Sequence, residues 1–213
     1  MSQLPASRAD WSSLDDDILV KAYLRGETAA FEVLFKKYRQ MVSRLSFSIV
    51  RNAALADDVV QDVFILVHRH LPKFRWDSAF KTWLYRVTVN EALRHLDRTR
   101  RWTQLPDDGP PVNPASALVA YNVGDSPERM LMESEQQALV QRALGSLRAP
   151  HRVILNLYYL EEMSVQEVAK VLEIPEGSVK SRLFYARDAL KNALQPVLGG
   201  AAPGLEKKSH EAR

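Results

Sequence analysis

The densest run of chemically useful side chains lies between Arg69 and Arg101. Arg69, Lys73, Arg75, Lys81, Arg86, Arg94, Arg98, Arg100 and Arg101 face three acids (Asp77, Glu91, Asp97), a local charge of +6 in a chain of net +3. Phe74, Trp76, Phe80, Trp83 and Tyr85 are interleaved with these cations. The mixture suits single-stranded nucleic acid, because cations follow the phosphates while rings stack on unpaired bases, at roughly 1–3 kcal/mol per base. The competing reading is a solvated basic face over a helical core. Trp83 belongs to that core, whereas Trp76, in a short loop, is expected to be exposed.

A second candidate surface lies near the C-terminus. At about 100° per residue, Val179, Leu183, Ala186 and Leu190 fall in one sector that must pack inward. The opposite side carries Ser181, Phe184, Tyr185 and Asp188, flanked by Lys180, Arg182 and Arg187. Cations beside short polar groups suit phosphate and base-edge contacts in a major groove. A plain helical bundle could show the same amphipathicity, but it has little use for two adjacent outward aromatics. A third patch, Asp57, Asp58, Gln61 and Asp62 among Val59, Val60, Val63 and Phe64, fits a protein-docking face and an ordinary amphipathic helix equally well.

Catalytic chemistry finds little support. With no cysteine there is no disulfide, thiolate nucleophile or cysteine-ligated zinc. His68 and His70, two apart on a helix, diverge rather than converge on a metal. His95, His151 and His210 are scattered, and no phosphate loop or nucleophile motif occurs. No catalytic residue, cofactor or metal is expected.

The elements that must position these surfaces are all helical. Ser13 precedes the acids Asp15, Asp16 and Asp17, as a helix start favours; Ile18, Leu19, Ala22 and Tyr23 form its inner face, and Gly26 ends it. Phe31, Leu34, Phe35, Tyr38, Val42, Leu45 and Ile49 predict a long second helix. Ala56, Val59, Val60, Val63, Val67 and Leu71 predict a third, stopped by Pro72. A fourth runs from Asp77 or Ser78 to about Arg98. Between Thr103 and Asp125 four prolines and two glycines collapse the pattern into a flexible linker. Ser126-Pro127-Glu128 then reads as a helix N-terminus. Pro150 opens the next helix, Ser164-Val-Gln-Glu167 forms a capping box, and Glu173 to Gly177 breaks the chain before a last helix from Ser178 to Leu194.

The fold class is therefore all-α, two helical domains joined by a linker. The boundaries are a tail over 1–13, a first domain over 14–102, a linker over 103–125, a second domain over 126–196 and a tail over 197–213. The longest apolar run, Val63 to Val67, is far below the roughly 20 residues a membrane span requires. No membrane insertion and a cytoplasmic location are expected.

From Leu14 to about Leu194 the chain resembles the extracytoplasmic-function, or group four, sigma factors of bacterial RNA polymerase. The motifs carrying the likeness are Asp58-Val-Val-Gln-Asp-Val-Phe64, the stretch from Phe74 to Asn90, and Tyr158 to Leu190 with Gly177-Ser-Val-Lys-Ser-Arg-Leu inside it. The resemblance implies sigma domains two and four. It implies that Asp58, Gln61, Asp62 and Phe64 dock on the clamp helices of the polymerase largest subunit. Phe74, Arg75, Trp76, Asp77, Ser78, Phe80, Lys81, Arg86 and Asn90 would read and melt the minus-ten element, Asn90 matching a position in a pocket for a flipped base. Ser178, Lys180, Ser181, Arg182, Phe184, Tyr185 and Arg187 would read the minus-thirty-five element. The implied partners are core RNA polymerase, promoter DNA in double- and single-stranded form, and an anti-sigma factor. Trp76 stands where glycine is frequent and Tyr185 where some members have arginine, so the promoter sequence is left open. A free-standing helix-turn-helix operator-binding regulator is the alternative; it would have no use for the basic-aromatic stretch.

Overall fold

The computed structural model describes residues 11, 14–103 and 139–198. The expected helix start at Ser126, residues 104–125 of the Pro-rich linker, and both chain tails apart from residues 11, 197 and 198 lie outside the described residues; the last helix runs on to Leu198 rather than ending at Leu194. Among the described residues every regular element is helical.

Asp15 rather than Ser13 precedes the first helix, α1 (Asp16–Leu24). Its buried side is Leu19, Val20 and Ala22, whereas Ile18 is left exposed. The expected face was therefore rotated toward Ile18. The reason is packing: α1 touches both the second and the fourth helix, so its contact arc is displaced toward Val20. Gly26, at φ +99°, ends it as expected, in a conformation that glycine adopts without steric cost.

Helix α2 (Thr28–Val50) buries Leu34, Tyr38, Val42, Leu45 and Ile49 of the predicted stripe, while Phe31 and Phe35 at its border are half-buried. Asp16 accepts hydrogen bonds from Lys37 Nζ (2.7 Å) and from the Tyr38 hydroxyl, tying α1 to α2. Burial first, then Asp16, pushes the Tyr38 hydroxyl far above its ordinary pKa. Helix α3 (Ala53–His70) starts on Asn52, whose side chain accepts from the Leu55 N–H at 2.9 Å. It buries Val59, Val63 and Val67, and a short 3-10 turn (Leu71–Lys73) containing Pro72 follows it. Helix α4 (Phe80–Thr103) packs on both α2 and α3, completing a bundle with α1 laid across it.

The second module comprises α5 (139–146), α6 (Ala149–Leu155), a π-helical turn (Asn156–Leu160), α7 (Val165–Leu172) and α8 (Glu176–Leu198). The capping box is present: Ser164 accepts from the Glu167 N–H, and Glu167 accepts from the Ser164 N–H at 2.8 Å. Those bonds favour the charged form and hold the Glu167 carboxyl below its ordinary value of 4.5. Ser164→Ala should lower stability by about 1 kcal/mol, read as a shift in urea midpoint. Because the folded pKa lies below the unfolded one, the Glu167 part of this effect is complete above the unfolded value. It fades as pH falls through the folded value, so the Ser164→Ala difference should shrink in acid.

Glu173, at φ +53°, caps α7 in the left-handed region, and Ile174 packs its side chain back on the core. Val179, Leu183 and Ala186 of α8 are buried, as their spacing requires. Leu160, three residues after the buried Leu157, is exposed, because the wider π-helical turn shifts the register there.

The two modules touch. Helix α6 packs against α2, and α7 against α4. Buried Arg152 donates to the Ile49 carbonyl at 2.7 Å and to the Leu147 and Gly145 carbonyls of its own module. Arg51 reaches Gln141, through the side-chain oxygen at 2.7 Å and the carbonyl at 3.0 Å.

Candidate nucleic-acid interface

The turn after α3 and the first half of α4 shape an open cleft of about 570 Å³. His70, Lys73, Phe74, Arg75, Asp77, Ser78, Arg86 and Asn90 line it, together with Glu173 from the second module. Arg86 and Asn90 are one helical turn apart, so both project to the same side of α4. Arg75, Trp76, Asp77, Lys81 and Asn90 are exposed, while Phe74, Ser78 and Arg86 are half-buried.

Phe80 is set differently. It is only 1 % exposed, its ring 5.6 Å from Tyr38 and 5.9 Å from Trp83. A ring enclosed in this way supports the cleft from beneath and has no free face for a base. Trp83, half-buried, packs on the same aromatic group, as its expected core role requires. Trp76 keeps its exposed loop position, at φ +61°, with its ring 5.0 Å from Phe74 and under Lys21 Nζ at 5.2 Å. A bulky residue in the left-handed region is strained. That geometry is one that glycine adopts freely, and here it carries an exposed ring.

On α3, Asp57, Asp58 and Gln61 are exposed. Phe64 is 7 % exposed, its ring 4.6 Å from Phe35, so it cannot present itself to a partner. Ile65 is the apolar side chain displayed there, 54 % exposed. Its spacing from Asp58 and Gln61, seven and four residues, placed it on their face and was the signal that could have found it.

Asp62 is drawn sideways into a cluster with α4. Its Oδ2 lies 2.9 Å from His95 Nε2, which is 3.3 Å from the nearly buried Glu91 carboxylate. Arg94 donates from Nε to Glu91 at 2.9 Å and approaches Asp62 at 4.0 Å. Ligand atoms of Asp62, Glu91 and His95 fall within 4.8 Å of one another, the spacing a cation would need. The Arg94 guanidinium already supplies the counter-charge there. The cluster fastens α3 to α4 and meets the cleft at Glu91, one of its lining residues.

In α8, Lys180, Ser181, Arg182, Phe184, Tyr185 and Arg187 are all exposed, and Ser178 is half-buried. Phe184 and Tyr185 are 67 % and 63 % exposed, with rings 5.5 Å apart. Arg187 donates to the Tyr159 hydroxyl at 2.7 Å and lies over the Tyr158 and Tyr159 rings. The surface is an aromatic and cationic ridge, formed because the buried residues at 179, 183 and 186 leave the intervening positions outside.

Two helical modules with these surfaces define a nucleic-acid-binding initiation factor of the sigma type. The family model for Sigma-70 region 2 matches residues 34–102, and that for Sigma-70 region 4 matches residues 137–190. The chain is 38 % identical over 186 residues to the RNA polymerase sigma-H factor of Pseudomonas aeruginosa, covering 86 % of this chain and 95 % of that one. It is 34 % identical over 193 residues to the ECF RNA polymerase sigma-E factor of Escherichia coli K12, covering 87 % and 97 %. Among solved structures, the Bartonella quintana sigma factor RpoE, in complex with the anti-sigma factor NepR, superposes with a TM-score of 0.62. That match is 22 % identical and covers 78 % of this chain and 96 % of that one, a likeness of fold. The chain belongs to the sigma-70 family, as an alternative sigma factor of the extracytoplasmic-function type. Such a protein binds core RNA polymerase and directs promoter-specific initiation. It is an initiation factor, and the family is not one of enzymes. No helix among the described residues is long and apolar enough to cross a membrane.

Proposed function

We propose that the cleft between Phe74 and Asn90 receives the melted minus-ten strand and that the outer face of α8 reads the minus-thirty-five element. The observation that carries this reading is the cleft itself: Asn90 lines it one turn from Arg86, together with Lys73 and Arg75, and Lys81 is exposed at the start of α4. The cations hold phosphates, and an amide can pair with a base edge through one donor and one acceptor side. Trp76 offers an exposed ring for stacking. Phe80 acts indirectly, by supporting Phe74 and Trp83.

On α8, Lys180, Ser181, Arg182 and Phe184 face the duplex major groove, with Ser178, Tyr185 and Arg187 at its margins. Asp58 and Gln61, joined by Asp57 and Ile65, dock on the clamp helices of the polymerase largest subunit. Asp62 and Phe64 brace that face, Asp62 through His95 and Phe64 through Phe35. Domain two occupies 14–102 and domain four 126–196. An anti-sigma factor controls the chain, which works in the bacterial cytoplasm at the nucleoid. The relatives support that control, since the Bartonella protein was solved with its anti-sigma partner.

The deciding experiment is reconstitution with core polymerase and genome-wide mapping of transcription starts. New starts sharing two elements are expected, and starts no different from bare core would refute the reading. Lys180→Ala should weaken minus-thirty-five binding by roughly 1–3 kcal/mol, measured by footprinting of the holoenzyme. An unchanged footprint would remove Lys180 from the interface.

A further inference from the structure

Tyr159 belongs to neither the apolar core nor α8, yet it is bonded to a cation of the proposed DNA-reading face. It stands in the π-helical turn after α6, where the Glu161 N–H donates to the Asn156 carbonyl, five residues back, at 3.0 Å. Single turns of this kind are frequent at functional positions. Asn156 and Leu157 stay buried there, while Tyr158 is half-buried and Tyr159 is 52 % exposed. The two tyrosine rings are 4.9 Å apart and meet edge to face, at 83°.

Arg187 is what they hold. Its Nε donates to the Tyr159 hydroxyl at 2.7 Å, and its guanidinium lies 5.5 Å from the centroid of each tyrosine ring. The hydrogen bond sets the direction of the fork, and the rings attract its charge. Of the N–H groups of a guanidinium only one is on Nε, so those on Nη1 and Nη2 stay available. Among the described residues no carboxylate pairs with Arg187, so its charge is not neutralised there. A cation that is exposed, uncompensated and already held has little rotamer freedom left to lose when it meets an anion. Its place on α8 says which anion. At about 100° per residue Arg187 shares the face of Lys180, but it lies roughly 10 Å further along the axis. A recognition helix reads base edges from its N-terminal turns, in a groove about 12 Å wide. That far along, the helix has reached the groove's edge, where DNA presents phosphates.

We propose that Tyr158, Tyr159 and Arg187 form a phosphate clamp that grips the DNA backbone where α8 leaves the major groove, with Tyr159 as the residue that positions Arg187. The inference rests on the assignment of α8 to minus-thirty-five DNA and gives the margin of that face a sequence-independent task. Nη1 and Nη2 of Arg187 hold one phosphate end-on through two charge-assisted hydrogen bonds. Tyr159 touches no DNA; it acts by fixing the fork through Nε. Phosphate contacts of this kind set register on the duplex and leave sequence choice to the base-reading residues.

The test uses reconstituted holoenzyme and a duplex promoter fragment carrying a mapped start, with affinity measured over a series of salt concentrations. Arg187→Ala should weaken binding roughly tenfold and reduce the slope of log affinity against log salt by about one. Tyr159→Phe keeps the ring and removes the hydroxyl, and should weaken binding roughly three- to fivefold. With Arg187→Ala already present, Tyr159→Phe should add no further loss, because the hydroxyl acts only through that guanidinium. Both single losses should be the same factor on a fragment with one minus-thirty-five base pair exchanged, since a phosphate carries no sequence. The urea midpoint of Tyr159→Phe should stay at the parent's. A Tyr159→Phe loss that persists in full without Arg187, an unchanged salt slope in Arg187→Ala, losses confined to one base sequence, or a midpoint that falls in step with affinity each overturns the clamp. A parent holoenzyme without a minus-thirty-five footprint would overturn the assignment of α8 itself, and the clamp with it.

Discussion

Phe80→Ala should destabilise domain two by roughly 3–5 kcal/mol, the usual cost of truncating an enclosed phenylalanine. Against a typical total of about 5–15 kcal/mol, that leaves the domain marginal. The loss comes from contacts with Tyr38, Phe74 and Trp83, which meet around this ring at the start of α4. A cavity there also releases the turn that shapes the cleft, so promoter opening falls with stability. Urea unfolding followed by tryptophan fluorescence measures the first effect. Phe80→Leu, which refills most of the volume, should restore both properties together. If Phe80→Ala keeps the parent midpoint but loses promoter melting, the ring is a base-stacking group after all and its enclosed position is wrong.

That case marks where the sequence stops being informative. The stripes of α2 and α3, the capping box at Ser164 and the inward sector of α8 follow from periodicity and short-range hydrogen bonding, which neighbouring residues determine almost alone. Phe64 and Phe80 do not. Each stands at the border of an apolar stripe, where a rotation of the helix by a fraction of a turn decides between core and surface. That rotation is set by what packs opposite, Phe35 in one instance and Tyr38 in the other. Ile18 and Val20 in α1 exchange places for the same reason.

The cluster of Asp62, Glu91 and His95 was illegible because it forms where α3 crosses α4, between residues up to 33 positions apart. Single histidines and carboxylates scattered along a helical chain carry no sign of such a crossing. The contacts between domains were hidden more completely still. Arg86 and Glu173 are 87 positions apart, and each reads alone as a solvated charge. Trp76 is the converse: the resemblance marked it as a bulky residue in an unusual place, and its backbone is in the left-handed region that glycine adopts most readily.

Asn90→Ala is expected to produce the largest functional loss with the smallest structural one. The side chain is exposed on α4, so its removal should change stability by no more than about 0.5 kcal/mol. A paired amide–base contact carries roughly 1–3 kcal/mol of discrimination, so open complexes should fall about ten- to hundredfold. Binding to core polymerase should be unchanged, because Asp57, Asp58, Gln61 and Ile65 display a separate face on α3. Permanganate reactivity of unpaired thymines reads the opening, and co-elution with core reads the docking. Asn90→Asp sharpens the comparison, since it keeps the shape but replaces the donor with a second negative charge beside Glu91 and near the DNA backbone. It should do at least as badly as alanine if the amide pairs with a base. Were Asn90→Asp to open promoters as well as the parent, the residue would be a spacer in the wall of the cleft, and base choice would have to pass to Trp76 and the half-buried Arg86.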